Sequence, residues 1–526
     1  MSFTSVTYFL FVGISLLIYT IVPKRAKWCV LLGASAVYYV MAAGLRTLWL
    51  VAAILIVYGG GLLLGHLNDQ GKARRKAAAD KEEKKQIRKK YDAKKRAVVT
   101  VAVLGVFGLL IALKYVNFLG ESAYGIAGLF GSKSTYQPVQ ILLPLGISYY
   151  TLCAVSYVVD VYRGKYKPER NFFKLALFLS FFPQMTEGPI GKYEIMMPRL
   201  VEGHSFDFER DAQAVMRIFW GMFKKMVIAD RANLFVTGVF DNGDGSMVLL
   251  GTLLYTVQIY CEFSGCMDIV CATGQLFGVE MQENFRRPIF SKTINEFWQR
   301  WHITLGAWIK EYVFFSVSLS KGLMNLSKHT RKKLNDYFAN LVPMTFALFC
   351  VWFFNGIWHG ASWKYVLYGL YYYILMMIGM YLRPVSDKLL HALHIAPESK
   401  GFALFQMVRT FLIVNVGMML FRCHTISQWG QSLARIFTDF DGACLTNGTV
   451  LSLGNDWQDF LIMGIGVLVV GIVEVLQEKG HTIRSELARR PVVLRYAVFL
   501  ALIIGVIVFG AYGTGYETVA PIYGQF

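Results

Sequence analysis

The stretch Thr47-Leu-Trp-Leu-Val-Ala-Ala-Ile-Leu-Ile-Val-Tyr-Gly-Gly-Gly-Leu-Leu-Leu-Gly-His-Leu67 contains no Asp, Glu, Lys or Arg. Its length matches the ~20 apolar residues a helix needs to cross a bilayer. Residues 72–96 follow with thirteen Lys/Arg against four Asp/Glu, and a second apolar run fills 98–116. Cytoplasmic connectors carry the excess of Lys and Arg, so this pattern reads as two membrane helices joined by a basic cytoplasmic segment over 68–97. Its alanines favour a helix. The composition of 72–96 is that of a nucleic-acid arm, but Tyr91 is its one aromatic residue. No nucleic-acid partner is expected. Contact with anionic lipid headgroups or an acidic carrier is the alternative to a merely solvated helix.

The apolar pattern recurs at 7–23, 27–43, 364–382, 403–421, 457–477 and 493–513. Apolar residues make up 55% of the 526 and charged residues 17%, which excludes a soluble enzyme with an ordinary polar surface. The fold class is therefore an all-α polytopic membrane protein, multi-pass in a cell membrane, with the lipid bilayer as its first partner. The first run lacks a basic flank and a small-residue cleavage site, so it reads as a retained span. The net charge of +19 is uneven, with further basic groups at Pro23–Lys27 and at Lys479, Arg484, Arg489, Arg490 and Arg495. Placing all of these in the cytoplasm puts both chain ends outside. Residues 139–360 are apolar but broken by Pro, Gly and charges. Tilted, short or re-entrant helices are expected there, around an internal polar chamber.

The eight cysteines are scattered, and Cys261, Cys266 and Cys271 read as small buried thiols. No spacing predicts a metal site, a disulfide framework, a nucleophile elbow or a phosphate-cradling loop.

Two histidines stand in aromatic segments. One is His302, in Asn295-Glu-Phe-Trp-Gln-Arg-Trp-His-Ile-Thr-Leu-Gly-Ala-Trp308; the other is His359, in Trp352-Phe-Phe-Asn-Gly-Ile-Trp-His-Gly-Ala-Ser-Trp363. Titratable groups at membrane depth are costly, and imidazole titrates nearest neutrality. Read as one helix, 295–311 puts Asn295, Gln299, His302, Gly306 and Lys310 on one stripe and Trp298, Trp301, Leu305 and Trp308 on a nearly opposite one. The competing reading is an interfacial helix anchored by tryptophan. Asn355 lies one turn before His359 and could orient its ring, with Trp358 beside it. Three further segments place polar groups in apolar surroundings: Leu143–Thr151, continuing to Asp160 and Arg163; Phe182–Ile190 with Gln184 and Glu187; and Tyr255–Asp268 with Gln258, Glu262 and Asp268. Their competing role is to satisfy broken helices.

These segments resemble the membrane-bound O-acyltransferases, and most of all the bacterial branch that modifies cell-surface polymers by O-acetylation or D-alanylation. The resemblance rests on Leu143–Gly164, Phe182–Ile190, Tyr255–Asp268, Asn284-Phe-Arg-Arg-Pro288, Glu296–His302, Gly356–Trp363, Arg409–Arg422 and Pro521–Phe526. It implies one membrane domain over 1–526, with a catalytic core at 139–382 and C-terminal helices at 403–526. It also implies a ring of roughly 11–13 transmembrane and re-entrant helices around a central tunnel. His359 matches the family's catalytic histidine and His302 its second, supporting position. Asn355, Gln299, Asn295, Trp358, Asp268, Glu262, Gln184 and Glu187 are candidates for the tunnel wall. No bound cofactor or metal is implied. The donor would be acetyl-CoA or an acyl-carrier thioester in the cytoplasm, and an esterase-like partner outside would assist. The membrane would be a bacterial cytoplasmic one.

Three positions depart from the family pattern. Trp308-Ile-Lys-Glu-Tyr312 replaces Trp-x-Arg-Asp-Tyr, Glu262-Phe-Ser-Gly-Cys266 replaces Asp-Phe-Ser-Gly-Tyr, and Glu187 replaces a small or apolar residue. They bear on the acyl group and acceptor, not on the reaction class. The expected function is acyl transfer, most simply of acetyl, to a hydroxyl of an extracytoplasmic polysaccharide or partner protein. D-alanyl transfer to teichoic acid is the nearest alternative, and transport of a lipid-linked sugar is the alternative from another class.

Overall fold

The computed structural model describes residues 2–243 and 245–512. The Pro521–Phe526 segment and the end of the last predicted run lie outside the described residues. Among those described, the chain is helical, and its sole β pairing is the isolated bridge between Phe285 and Trp301. The eight apolar runs fall on the helices Val6–Ile21, Lys27–Ala43, Thr47–Ala77, Lys81–Leu110, Trp363–Tyr381, Lys400–Arg422, Trp457–Glu478 and Val492–Phe509. Five of these eight starts carry side-chain caps. Ser5 accepts from the Tyr8 amide, Asp80 from that of Glu83, and Asp456 forms a reciprocal box with Asp459. Large apolar side chains such as Leu10, Leu17, Leu104, Leu468 and Ile507 point outward. In water they would be a liability. Against lipid tails they are the ordinary surface.

Among the described residues, seven helical segments are long and apolar enough to cross a membrane, or eight if a pair bent by 54° (Trp363–Tyr381 with Arg383–Ala392) is one span. Two of them, Gly245–Leu276 and Asp336–His359, lie in the middle region that the sequence pattern reads as broken. The correction has a physical cause. Glu262 and Asp268 interrupt the first helix in hydropathy only, because cations from a neighbouring helix neutralise them. Pro343 lies inside the second, where it removes a single backbone donor and the helix continues past it.

The described chain divides into two compact units. One comprises Met1–Phe208 with Thr273–Gln282, and the other Glu209–Ala272 with Glu283–Phe526. In the first, Thr47–Ala77 and Lys81–Leu110 form an antiparallel hairpin of 31 and 30 residues. Both exceed the bilayer length, so the basic connector is carried on helical extensions. Of the Gly59-Gly-Gly61 run, a Cβ on Gly60 would lie 3.1 Å from Ala102 and one on Gly61 3.2 Å from Tyr157, whereas Gly59 faces open space.

In the second unit, Phe208–Met222, a wide π-helical segment Phe223–Ala229 and Asp230–Asn242 run antiparallel to Gly245–Leu276. The two rods cross at paired glycines. A Cβ on Gly221 would lie 2.5 Å from the Gly265 carbonyl oxygen, and one on Gly265 2.7 Å from that of Gly221. That approach brings Arg217 within 2.7 Å of Asp268 and Lys224 within 2.7 Å of the other oxygen of the same carboxylate. Lys225 reaches Asp230 at 2.8 Å and Glu262 at 3.8 Å.

Gly221→Val is expected to lower stability by about 1–3 kcal/mol through overpacking, and by more if the ion pairs separate. Gly59→Ala should be neutral or raise stability by up to ~1 kcal/mol. Thermal unfolding in detergent distinguishes the two. Equal melting temperatures would refute the crossing.

Candidate active site

His302 is not part of a continuous helix. The chain forms Ile294–Arg300, breaks, and resumes as Ile303–Ile309. Local periodicity misses the break because a segment elsewhere in sequence imposes it. Arg286 donates its amide to the Arg300 carbonyl at 2.8 Å, and Ile303 donates to the Asn284 carbonyl at 2.9 Å. These bonds take His302 into the left-handed region, φ 49° and ψ 51°, which a non-glycine residue adopts only when its surroundings require it. The single polar stripe predicted from the sequence is therefore corrected. His302 is 5% exposed, while Asn295 and Gln299 lie exposed on the preceding helix.

Asn284 is what holds the break. Its Oδ1 accepts from the Thr304 amide at 3.0 Å and the Thr304 hydroxyl at 2.9 Å, and its Nδ2 donates to the Met267 sulfur at 3.3 Å. The amide proton of Thr304 identifies that atom as the oxygen. Nδ1 of His302 lies 3.3 Å from the same oxygen and must carry the proton there. Nε2 is then the lone-pair nitrogen of a neutral ring. Burial in an apolar setting lowers the His302 pKa to about 3, so the neutral form persists near pH 7.

His359 is the last residue of the helix Asp336–His359 and is 4% exposed. A Cβ on Gly356 would lie 2.4 Å from the Tyr365 carbonyl oxygen and 3.4 Å from the Cα of Gly369. Glycine there lets the helix Trp363–Tyr381 turn straight back and deliver Tyr365 and Tyr368. The His359 ring packs edge-on against Trp358, Tyr368 and Phe421, with centroids 5.1, 5.6 and 5.5 Å away. The His302 ring meets Phe263 at 4.9 Å and Trp358 at 5.6 Å. Trp358 thus touches both imidazoles. Two histidines from distant segments are held one indole apart in a wall of aromatic rings.

The other predicted residues are distributed as follows. Asn355 is buried on the His359 helix. Asp268 and Glu262 are committed to the cations described above, and Phe263 joins that charged helix to His302. Gln184 and Glu187 are buried in the first unit, in a turn that donates the Phe182 amide to Ser35 Oγ at 3.1 Å and accepts the Tyr149 hydroxyl at the Pro189 carbonyl at 2.6 Å. Asn284 is named in the sequence only as part of the Asn284–Pro288 segment, and Arg217, Lys224 and Lys225 are not singled out there. The signal for the cations was parity, since carboxylates in an apolar helix require buried partners. Among the described residues no cluster of His, Cys, Asp and Glu could hold a metal ion.

Asn284→Ala should cost about 2–3 kcal/mol by stranding buried donors. With His302→Ala in a double-mutant cycle, the losses should fall short of additivity. Additive losses in thermal unfolding would dissociate Asn284 from His302.

Comparison with known proteins bears on this site. The family model of the membrane-bound O-acyltransferases matches residues 169–330, which include His302. The chain is 30% identical over 438 residues to a probable alginate O-acetylase of Azotobacter vinelandii, covering 83% of this chain and 77% of that protein. It is 29% identical over 316 residues to a peptidoglycan O-acetyltransferase of Helicobacter pylori, covering 55% and 56%. It is 25% identical over 304 residues to a teichoic acid D-alanyltransferase of Bacillus subtilis, covering 54% and 70%. A multi-pass helical chain that matches the alginate-type relative over most of both lengths belongs to the membrane-bound O-acyltransferase family.

Proposed function

We propose that the protein transfers an acyl group, acetyl in the first instance, from a cytoplasmic thioester to a hydroxyl of an extracytoplasmic cell-surface polymer. The observation that carries this reading is the pair of buried imidazoles on either side of Trp358. His359 acts as general base. It takes the proton of the acceptor hydroxyl as the oxygen attacks the thioester carbonyl. The C–S bond then breaks, and the proton passes to the departing thiolate. Such a base contributes ~10²–10⁴-fold, and alignment of the two substrates away from water supplies much of the rest.

Two roles are open to His302, polarising the thioester carbonyl or positioning a group, and its bond to Asn284 supports the second. With Nδ1–H held by Asn284, the neutral ring has no second proton with which to polarise a carbonyl. It accepts instead, and is suited to orient the hydroxyl before His359 deprotonates it. The likeness to acetyltransferases of alginate and peptidoglycan supports acetyl over D-alanyl. An esterase-like partner outside the membrane completes the proposal.

In membranes containing such a partner, label from acetyl-CoA should reach the acceptor. His359→Ala should lower the rate at least ~10²-fold, and His302→Ala less, with folding of both checked by gel filtration. Wild-type transfer by His359→Ala would reject the assignment. Transfer from a D-alanyl carrier protein but not from acetyl-CoA would replace the acyl group and leave the mechanism.

A further inference from the structure

We propose that Lys364 and Arg422 form an anion-recognition site beside His359, which binds a carboxylate or phosphate of the extracytoplasmic acceptor and presents its hydroxyl to the imidazole. This rests on His359 being the reacting base. Both cations stand at the C-terminal end of Lys400–Arg422, close enough for their charges to interact. Lys364 Nζ donates to the Phe421 carbonyl at 3.2 Å and the Cys423 carbonyl at 2.7 Å, so its ammonium bridges the residues on either side of Arg422. Arg422 donates to Thr237 Oγ1 at 3.3 Å and lies over the Phe240 ring at 5.5 Å. Both side chains are half-buried. Among the described residues neither joins an ion pair, in a unit where Arg217, Lys224 and Lys225 are each matched to carboxylates. Two neighbouring, partly desolvated cations with no counter-ion among the described residues repel one another, and a bound oxyanion would relieve that.

The site adjoins the chemistry. Phe421 packs on the His359 ring at 5.5 Å and on Tyr365 at 5.3 Å; Lys364 lies over that Tyr365 ring at 4.7 Å, and Arg422 follows Phe421 in the chain. Its side of the membrane follows from contacts within the second unit. Along the antiparallel rods, Arg217 meets Asp268, Lys225 meets Glu262, Asn233 meets Gln258, and Thr237 meets Arg422 in sequence. The far end of this ladder from Arg422 is the basic one. There Arg287 and Arg300 bind Glu478, and the chain continues through Lys479, Arg484, Arg489, Arg490 and Arg495. The positive-inside rule puts that end in the cytoplasm and Lys364 with Arg422 outside. An acceptor, rather than the phosphates of a cytoplasmic donor, is the anion placed to reach them.

Binding to the purified full chain in detergent tests this. The probes are a short oligogalacturonate, its methyl ester and glycerol 3-phosphate. Wild type should bind at least one anion and bind the ester more weakly. Arg422→Gln and Lys364→Gln should each weaken anion binding about tenfold or more, and Arg422→Lys should retain most of it. Because Lys364 also caps a helix, the Arg422 pair decides the case if Lys364→Gln fails to fold. Equal binding of acid and ester where the acid binds, no anion bound by wild type, or unchanged affinity for the bound anion in Arg422→Gln would overturn the proposal. His359→Ala should keep this binding, so that failure of the catalytic assignment is seen separately.

Discussion

Charge neutrality inside the second unit is the constraint on which the site depends. An isolated carboxylate or ammonium away from water is costly, and removing one partner of a buried pair costs ~3–5 kcal/mol. The helix Gly245–Leu276 places Glu262 and Asp268 in an apolar setting, and Arg217, Lys224 and Lys225 answer them from the facing rod. Consecutive lysines on an ordinary helix point about 100° apart. The π-helical widening over Phe223–Ala229 accompanies their arrangement, so that both meet carboxylates. The pairing fixes the rods in register, since a slip of one residue would strand several charges at once. Phe263 stands between Glu262 and Ser264 on the same helix, and it is the ring against His302. Electrostatic registration of two rods thereby sets one wall of the imidazole pair.

Packing supplies the other walls. Small residues do in this chain what hydrophobic burial does in water, because lipid gives helices little incentive to associate. Gly221 with Gly265, and Gly356 with Gly369, are backbone contacts that no side chain permits. The second pair matters most to function. It lets Trp363–Tyr381 fold back directly behind His359, so that Tyr368 joins Trp358 and Phe421 around the ring.

The sequence made the outer helices legible, since a lipid-facing helix must be apolar all along and hydropathy reads that property. Val492–Phe509 and Trp457–Glu478 fall where expected for this reason. Gly245–Leu276 did not, because its apolar character depends on cations found in a different helix. The histidines were legible through their aromatic surroundings and their resemblance to a known family. The placement of Asn295 and Gln299 was not. Helical periodicity carries them onto the face of His302, but the chain turns at Trp301 under bonds from Asn284 and Arg286. A contact across a sequence separation of that kind has no local signature.

In the proposed mechanism the Asn284 amide also accounts for two histidines rather than one. Its oxygen is occupied by Thr304 as well as by His302, so it cannot rotate to offer a proton without breaking several bonds. His302 is thereby fixed as an acceptor at Nε2, in a backbone conformation it would not adopt unaided. A residue so constrained is poorly suited to gain and lose protons, and well suited to hold a hydroxyl at a set angle. His359 is placed differently, at a helix end bordered by Gly360, Ala361 and Ser362, with aromatic edges around it. In the proposed mechanism the fold thus separates orientation from proton transfer: the fixed imidazole would aim the hydroxyl, and the imidazole at the helix end would remove its proton.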